Sequence, residues 1–204
     1  MTLTIVIITS IISILCFYSD SLMSRLMFNP YQVYHRKEIW RLVTHGFLHA
    51  DWIHLIINMI VLYSFGRNVE AWIYQLKNAD YLNSPVLIYI LLYIGGIIIS
   101  TLITLVRYRN NYNYNSVGAS GAVSAVVFTS IFFSPMEKIY FFGAIPIPGI
   151  IFALLYLIYS SYMSRRGRDN INHDAHFAGA IYGFIFPVLI DSDLISHFIN
   201  ELPF

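Results

Sequence analysis

Long apolar runs separated by short polar stretches dominate the chain. A helix needs about 20 mainly apolar residues to cross the roughly 30 Å hydrocarbon layer of a bilayer. Several runs approach that length, and we predict membrane-spanning helices over Leu3–Tyr18, Trp52–Tyr74, Pro85–Val106, Val117–Ser134, Ala144–Met163 and Ala175–Ile190. The fourth run is short for a full crossing. Its helix is therefore expected to begin below the membrane surface, where other helices must enclose it.

The polar stretches between the runs predict connecting segments. Residues 19–51 combine Asn29-Pro30 and the basic cluster His35-Arg36-Lys37 with several aromatic residues. We expect a long, partly embedded loop with short helices there, its rings at the level of the lipid headgroups. The link Arg165-Arg166-Gly167-Arg168 predicts a solvated turn. The first run lacks a basic leader and a small-residue cleavage site, so we expect its helix to be retained.

Composition indicates a membrane protein. Charged residues make up 11% of the chain against about 25% in an average soluble domain. Hydrophobic residues make up 57%, and the mean hydropathy is +0.63. We therefore expect a multi-pass integral protein of the cell membrane, with the lipid bilayer as a partner and residues 1–204 as one domain. The formal charge of +1 gives no argument for nucleic-acid binding, and one cysteine, Cys16, cannot form an intrachain disulfide.

Four polar residues lie near the starts of the even-numbered predicted spans, where polar side chains are costly and are candidates for a functional site. His54 and Asn58 lie four residues apart near the start of the second span, hence on one helix face. Ser120 lies near the start of the fourth span, and His176 lies at the start of the sixth. Even-numbered spans run in the same direction through a membrane. The four side chains should therefore share one level on one side of the bilayer.

Such a set of residues suits nucleophilic acyl transfer. A serine hydroxyl is a weak nucleophile unless a base accepts its proton, and His176 is the candidate base for Ser120. Gly179 and Gly183 follow at helical spacing and leave a bare stripe, so the sixth helix could approach the fourth closely enough for a direct hydrogen bond. The Ser120 backbone N–H, His54 and Asn58 could then donate to the oxyanion of a tetrahedral intermediate.

Each of these residues also has a simpler interpretation. The small residues around Ser120 are typical of close helix packing, His54 with Asn58 could form interhelical hydrogen bonds, and His176 could be an interfacial histidine. The spacing of His45, His49 and His54 raises the question of a metal site. The chain has no His-Glu-x-x-His pattern, and the one carboxylate in the even-numbered spans lies far from these histidines. We therefore expect no metal.

The motifs taken together resemble those of the rhomboid family of intramembrane serine proteases. The residues that carry the resemblance are Trp40-Arg41, His45, His49, His54-Leu-Ile-Ile-Asn58, Gly118-Ala-Ser-Gly121 and Ala175-His176-x-x-Gly179-x-x-x-Gly183. The resemblance implies an all-α, six-transmembrane-helix bundle that cleaves transmembrane-helix substrates near the membrane surface. It also implies a Ser120–His176 dyad, an oxyanion site with His54 and Asn58, and no metal or other cofactor. We place Gly118 in the oxyanion site, with Trp40, Arg41, Gly121, Gly179 and Gly183 as structural support.

The chain departs from the family pattern at one position near the dyad. Several rhomboids place an aromatic residue one helical turn after the nucleophile, against the catalytic histidine, whereas this chain has Ser124 there. An activated nucleophile usually needs its base held by a third group. The sequence does not identify the group that orients His176.

The charge distribution leaves the orientation in the membrane open. The connections on the side of the candidate site carry most of the basic residues, namely Arg25, Arg36, Lys37, Arg41, Arg107, Arg109, Arg165, Arg166 and Arg168, nine of the 12. The positive-inside rule would place that side in the cytoplasm. Bacterial rhomboids usually have the opposite orientation, and we slightly favour that one.

Two other functional classes are compatible with a small membrane protein. A catalytically inactive rhomboid-like protein could bind membrane helices without cutting them, although it would be expected to lack the nucleophile or the base. A channel or transporter could use the histidines as a proton relay. We would then expect several aspartate or glutamate residues within the spans and repeat symmetry between the halves, whereas the spans contain only Glu70 and no repeat symmetry is evident.

Overall fold

The computed structural model describes residues 1–141, 143–166 and 171–203 of the chain, and it is mostly helical. The helices are α1 (Thr2–Phe17), α2 (Asp20–Leu26), α3 (Pro30–Arg36), α4 (Arg41–Thr44), α5 (Trp52–Asn78), α6 (Pro85–Tyr108), α7 (Ser120–Phe133), α8 (Gly149–Arg166), α9 (His173–Ile190) and α10 (Leu194–Asn200). A 3-10 turn, His45–Phe47, follows α4. The strands β1 (Lys138–Phe141) and β2 (Ile145–Pro148) form an antiparallel hairpin between α7 and α8.

Polar caps set the starts of three long helices. The Asp51 carboxylate accepts the His54 N–H at 2.8 Å before α5, and the Asn172 side chain accepts the Ala175 N–H at 3.1 Å before α9. Ser84 caps α6, with Pro85 at the first helical position. Helix α7 differs, because Ala119 precedes it and no side chain caps its first turn. As at every helix start, its first backbone N–H groups have no partner inside the helix, and Ala119 has no side-chain acceptor to offer them.

Helix α7 forms the centre of the bundle. Every residue from Gly121 to Phe133 is buried, so this apolar helix has no face towards lipid. Helices α5, α6 and α9 pack around it. This burial agrees with the expectation that other helices enclose the fourth predicted span, which corresponds to α7. A polar hydroxyl at the start of α7 consequently lies inside protein and not in lipid.

In the part of the chain that the structure describes, two helices are long and apolar enough to cross a membrane, α6 and α9. The number rises to three if the pair Arg41–Phe47 and Trp52–Asn78, bent by 93°, counts as one span. Helices α1 and α7 are apolar but shorter. The six-span count stays a prediction. Five of the six predicted spans correspond to helices with starts within three residues of the expected positions.

The predicted fifth span is wrong at its start. We expected it to begin at Ala144, whereas residues 145–148 form strand β2 and helix α8 begins at Gly149. Pro146 and Pro148 explain the difference, because a proline in a helix interior removes a hydrogen bond and clashes with the preceding turn. The end of α8 also corrects the predicted turn, since Arg165 and Arg166 form its exposed last turn. Gly167 and Arg168 lie outside the described residues.

Short helices occupy the connection between α1 and α5, as expected. Arg41 is buried and ties this connection together: its guanidinium donates to the Ser24 and Met27 carbonyl oxygens at 2.9 and 2.7 Å and to the Glu38 carboxylate at 2.6 Å. Trp40, the neighbouring residue, keeps 48% of its surface exposed. Arg41 therefore supports the loop from inside, whereas the Trp40 ring lies at its surface.

Candidate active site

Ser120 and His176 meet where helices α7 and α9 begin. The Nε2 atom of His176 lies 2.8 Å from the Ser120 Oγ, a normal hydrogen-bond distance. Both side chains are partly buried, so each remains partly accessible. Ser120 is the first residue of α7, and His176 lies in the first turn of α9. The structure therefore joins a hydroxyl to a potential proton acceptor at the same end of the bundle.

Glycines bring the two helices close enough for this contact. A Cβ atom on Gly179 would lie 2.1 Å from the Gly121 carbonyl oxygen, and one on Gly183 would lie 2.0 Å from that of Ala125. Real Cβ atoms do not approach backbone so closely, which means that the two backbones touch directly. Gly179 and Gly183 thus face α7, and the two helices approach each other closely at these positions.

The start of α7 supplies backbone donors beside the hydroxyl. Ala119 provides no side-chain cap, and the Ser120 N–H lies at the helix start next to the Ser120 Oγ, without a partner inside the helix. A helix N-terminus also carries partial positive charge, which favours a negative group placed there. A hydroxyl and a backbone N–H of one residue thus lie together at a helix start, where a negatively charged oxygen can be stabilised.

Gly118 shapes the space in front of the hydroxyl. Its φ of +135° is a conformation that residues with a side chain rarely adopt. A Cβ atom there would lie 3.0 Å from the Cε1 atom of His54 and 3.5 Å from the Ser120 Oγ, so His54 and Ser120 border the same small space. The Gly118 N–H donates to the His45 carbonyl at 3.1 Å and is therefore already used. Gly118 leaves room at the site, while its N–H ties the segment before α7 to the loop between α1 and α5.

His54 and Asn58 lie on the face of α5 that we expected. Asn58 is buried, and its Nδ2 donates to the His54 carbonyl at 2.9 Å, which leaves the second amide hydrogen for another acceptor. His54 is partly buried and meets the His49 ring at 4.9 Å in an edge contact. The His49 Nδ1 in turn lies 2.9 Å from the Ser13 Oγ of α1. A polar cluster thus extends from α1 to the site.

The histidines do not assemble into a metal site in the described part of the chain, where no group of three or more potential ligands comes together. The His45 Nδ1 donates to the Arg41 carbonyl oxygen at 2.8 Å, and the His49 Nδ1 forms a hydrogen bond with the Ser13 hydroxyl. Their contacts connect the loop to α1 and to Gly118. The helix-like spacing of these histidines reflects support of the loop.

Two residues beside the dyad were not identified from the sequence. Tyr156 of α8 places its hydroxyl 2.7 Å from the Ser124 Oγ, and its ring stacks on the His176 ring at 6.4 Å with an interplanar angle of 22°. Asp174, two residues before His176, accepts hydrogen bonds from Arg107 of α6 and Ser164 of α8. The polar character of Asp174 at a helix start was a visible signal. Tyr156 gave none, because tyrosines are frequent throughout the chain.

A family comparison decides the relationship of the chain. The model of the Rhomboid domain matches residues 36–192, which include the whole site described above. The chain belongs to the rhomboid family. With its apolar helices, this membership makes it an integral membrane protein.

Rhomboid proteins from distant organisms align with it at low identity. RHOMBOID-like protein 12, mitochondrial, of Arabidopsis thaliana is 26% identical over 68% of this chain and 43% of its own length. Rhomboid-related protein 1 of Caenorhabditis elegans is 27% identical over 82% of this chain and 44% of its own. The candidate rhomboid protease YdcA of Bacillus subtilis strain 168 is 28% identical over 74% and 67%, respectively. The chain spans less than half the length of the first two relatives.

Proposed function

We propose that this rhomboid protein is an intramembrane serine endopeptidase, with residues 1–204 as one catalytic domain. The observation that carries the proposal is the 2.8 Å contact between the Ser120 hydroxyl and the His176 imidazole, inside a bundle with apolar outer faces. The similarity to YdcA, whose name is that of a candidate rhomboid protease, supports it. The dyad alone distinguishes the proposal from simple helix packing, which requires no base beside the serine.

The chemistry follows from this pair. His176 accepts the Ser120 proton as the Ser120 Oγ attacks the carbonyl carbon of a peptide bond, and a tetrahedral oxyanion forms. His176 then gives that proton to the leaving amine, and the carbonyl carbon remains bound to Ser120 as an ester. Water attacks the ester with His176 again as the base. The acid fragment leaves, and the Ser120 hydroxyl is restored.

The oxyanion site in this proposal combines a backbone donor with side chains of α5. The Ser120 N–H lies at an uncapped helix start, His54 borders the same small space, and Asn58 has an amide hydrogen to give. Removal of one such donor typically lowers the rate by about 100- to 1,000-fold. Gly118 takes part by leaving the space open, because its own N–H is bound to the His45 carbonyl.

The surface of the bundle supports six membrane-crossing helices, which we propose are α1, α5, α6, α7, α8 and α9. Exposed apolar residues recur every three or four positions on several of them, as expected for faces in contact with lipid. They are Leu3, Ile7, Ile11 and Leu15 on α1, Ile53, Ile56, Ile57 and Ile60 on α5, and Ile151, Leu154, Leu155 and Ile158 on α8. Helix α7 has no such face, because the other helices enclose it.

The proposed substrates are transmembrane-helix proteins of the cell membrane. An intact helix shields its carbonyl groups through internal hydrogen bonds, so a substrate must unwind locally before Ser120 can reach a peptide bond. Small or helix-breaking residues near the membrane surface should therefore favour cleavage. We propose that the site faces the outside of the cell. Among the nine basic residues on its side, Arg41 is buried and donates to backbone carbonyls within the loop, so its presence there has a structural reason apart from membrane orientation.

The experiment compares the purified wild type with Ser120→Ala and His176→Ala in liposomes that contain a single-span test substrate. We expect cleavage by the wild type and a loss of at least about 1,000-fold in both variants, because nucleophile and base act as a unit. Mass spectrometry of the products gives the cleaved bond and its depth. Thermal unfolding in detergent checks that the variants remain folded.

A fluorophosphonate probe provides a substrate-independent control. It should label Ser120 in the wild type, and the His176→Ala variant should label much more slowly, because the probe needs an activated hydroxyl. Equal cleavage by all three proteins would contradict the proposal. Absence of both cleavage and labelling in the folded wild type would instead favour a rhomboid-like protein that binds membrane helices without cutting them.

A further inference from the structure

Ser124 and Tyr156 face each other across the contact between α7 and α8, directly beside the dyad. Ser124 lies one helical turn after Ser120, is buried, and makes its 2.7 Å hydrogen bond with the Tyr156 hydroxyl on a different helix. Serine at position 124 has no aromatic ring to place against His176. Its hydroxyl instead holds the hydroxyl end of a ring that α8 supplies.

The ring of Tyr156 is fixed on several sides. Besides the hydrogen bond at its hydroxyl, it packs against Phe128 of α7 at 5.5 Å and Phe152 of its own helix at 5.9 Å between ring centroids. Its face is nearly parallel to that of His176, with centroids 6.4 Å apart. This offset arrangement is within the range in which aromatic rings attract one another. A ring held in this way limits the rotation of the neighbouring imidazole.

A second ring, that of His173, also touches the imidazole but belongs to the same helix. It meets His176 edge-on at 5.8 Å and is itself contacted by Tyr159 of α8. Because His173 and His176 move together with α9, this contact does not fix the imidazole relative to Ser120. Tyr156 is different, because Ser124 links it to α7, the helix that carries the nucleophile.

From these contacts we infer that Tyr156, anchored by Ser124, is a positioning residue that holds the His176 imidazole towards Ser120. The supporting ring thus belongs to α8 and not to α7, and the Ser124 hydroxyl holds it in place. The alignment of His176 with Ser120 therefore depends on the position of α8 relative to α7. This inference rests on the proposed protease function. It assigns no chemical step to Tyr156.

The principal test is steady-state cleavage of the single-span test substrate by Tyr156→Leu in liposomes. We expect kcat to fall between about 10-fold and 100-fold with KM changed less than about threefold, because misalignment of the base affects the reaction and not the docking of substrate. Tyr162→Leu is the matched control, since this tyrosine lies on the same helix with 49% of its surface exposed. It should retain wild-type kcat.

The anchor is tested by a double-mutant cycle. Tyr156→Phe and Ser124→Ala each remove one end of the hydrogen bond and keep the supporting ring, so each should lower kcat severalfold. If the two hydroxyls act through each other, the double variant should be no slower than the worse single variant. Independent, multiplying losses would overturn the assigned anchor.

A swapped ring distinguishes positioning from packing. Ser124→Tyr combined with Tyr156→Leu places the aromatic ring on α7, and it should recover at least about half of the wild-type kcat, well above that of Tyr156→Leu alone, if a ring beside His176 is what matters. Thermal unfolding and the fluorophosphonate labelling rate of Ser120 are measured on every variant. The labelling rate should fall in Tyr156→Leu, because labelling requires the aligned base and not a docked helix.

The outcomes separate this inference from the function on which it rests. If the wild type neither cleaves nor labels, the protease proposal fails. If the wild type is active and a folded Tyr156→Leu has the same kcat and labelling rate, the positioning inference is wrong and the protease proposal stands. A change confined to KM would also overturn the inference, since it would assign Tyr156 to substrate binding.

Discussion

Helix α7 is held in two different ways on its two sides. Towards α9 the backbones touch, with Gly179 against Gly121 and Gly183 against Ala125. Towards α8 the contact beside the dyad runs through side chains, with the Tyr156 hydroxyl bound to Ser124. Backbone contact leaves no rotamer freedom to either partner, whereas a side-chain bridge can break and reform. The serine and its base are therefore on the firmly joined pair, and the support of the base comes from the more adjustable side.

The difference indicates a division of work within the site. A hydrogen bond of 2.8 Å between Ser120 and His176 requires helix positions that are accurate to a fraction of an ångström. Interfaces of small residues provide that accuracy in membranes, where apolar burial gives little drive for helix association. The following variants test whether the α9 side is the stronger one, in order of expected effect on stability.

The largest effect is expected for Gly179→Ala. Its new Cβ would lie 2.1 Å from the Gly121 carbonyl oxygen, and a backbone atom cannot move aside without separating α7 from α9. We expect destabilisation of about 3 kcal/mol, the upper end of the usual cost of overpacking, and loss of cleavage. Thermal unfolding in detergent, together with fluorophosphonate labelling, gives both quantities.

Gly95→Ala is the matched control for that variant. Its Cβ would lie 2.1 Å from the Tyr182 hydroxyl, which is the end of a side chain that can rotate at the loss of one hydrogen bond, to the Leu91 carbonyl. The expected cost is about 1 kcal/mol. A Gly179→Ala variant as stable as Gly95→Ala would show that the α7 and α9 backbones are not held together as described.

An intermediate effect is expected for Thr129→Val. The Thr129 hydroxyl donates to the Gly183 carbonyl at 2.7 Å, so it bonds α7 to α9 just beyond the glycine contact. Loss of an interhelical hydrogen bond within a membrane bundle costs roughly 0.6–2 kcal/mol. Thr101→Val is the control, because that buried hydroxyl donates within its own helix, to the Ile98 carbonyl. Equal unfolding temperatures for the two variants would count against a special role of the α9 side.

The sequence was sufficient to predict the contact between α7 and α9 but not the contact between α7 and α8. Gly179 and Gly183 could be recognised because a bare stripe on a helix has one use in a membrane, and helix parity then placed His176 at the level of Ser120. The start of α8 was mispredicted because we gave hydropathy more weight than Pro146 and Pro148, which are unfavourable in a helix interior. The link from Tyr156 to Ser124 depends on how α8 is rotated about its own axis, and apolar residues around that helix give no single buried face from which rotation could be read.

The buried Arg41 illustrates the same limit within the loop. Its pairing with Trp40 in the chain suggested a structural role, but its acceptors are mainly backbone carbonyls at Ser24 and Met27. Every residue has a carbonyl, so no sequence pattern identifies which ones an arginine will meet. The location of Gly118 is similar, since its N–H partner is the backbone of His45. The side chains of the candidate site could be predicted from the sequence, whereas the backbone groups that shape it are identified only by the structure.

The smallest effect is expected for Ser164→Ala, which removes a contact on the α8 side. Asp174 keeps its pairing with Arg107 in this variant, and the lost hydrogen bond lies at a partly exposed helix end, so the cost should be below about 1 kcal/mol. Ser161→Ala is the control on the same helix. Unfolding temperature and kcat should both stay close to those of the control. A loss as large as that of Gly179→Ala would mean that α8 is joined to α9 as firmly as α7 is, and the support of His176 by Tyr156 would then be no more adjustable than the dyad itself.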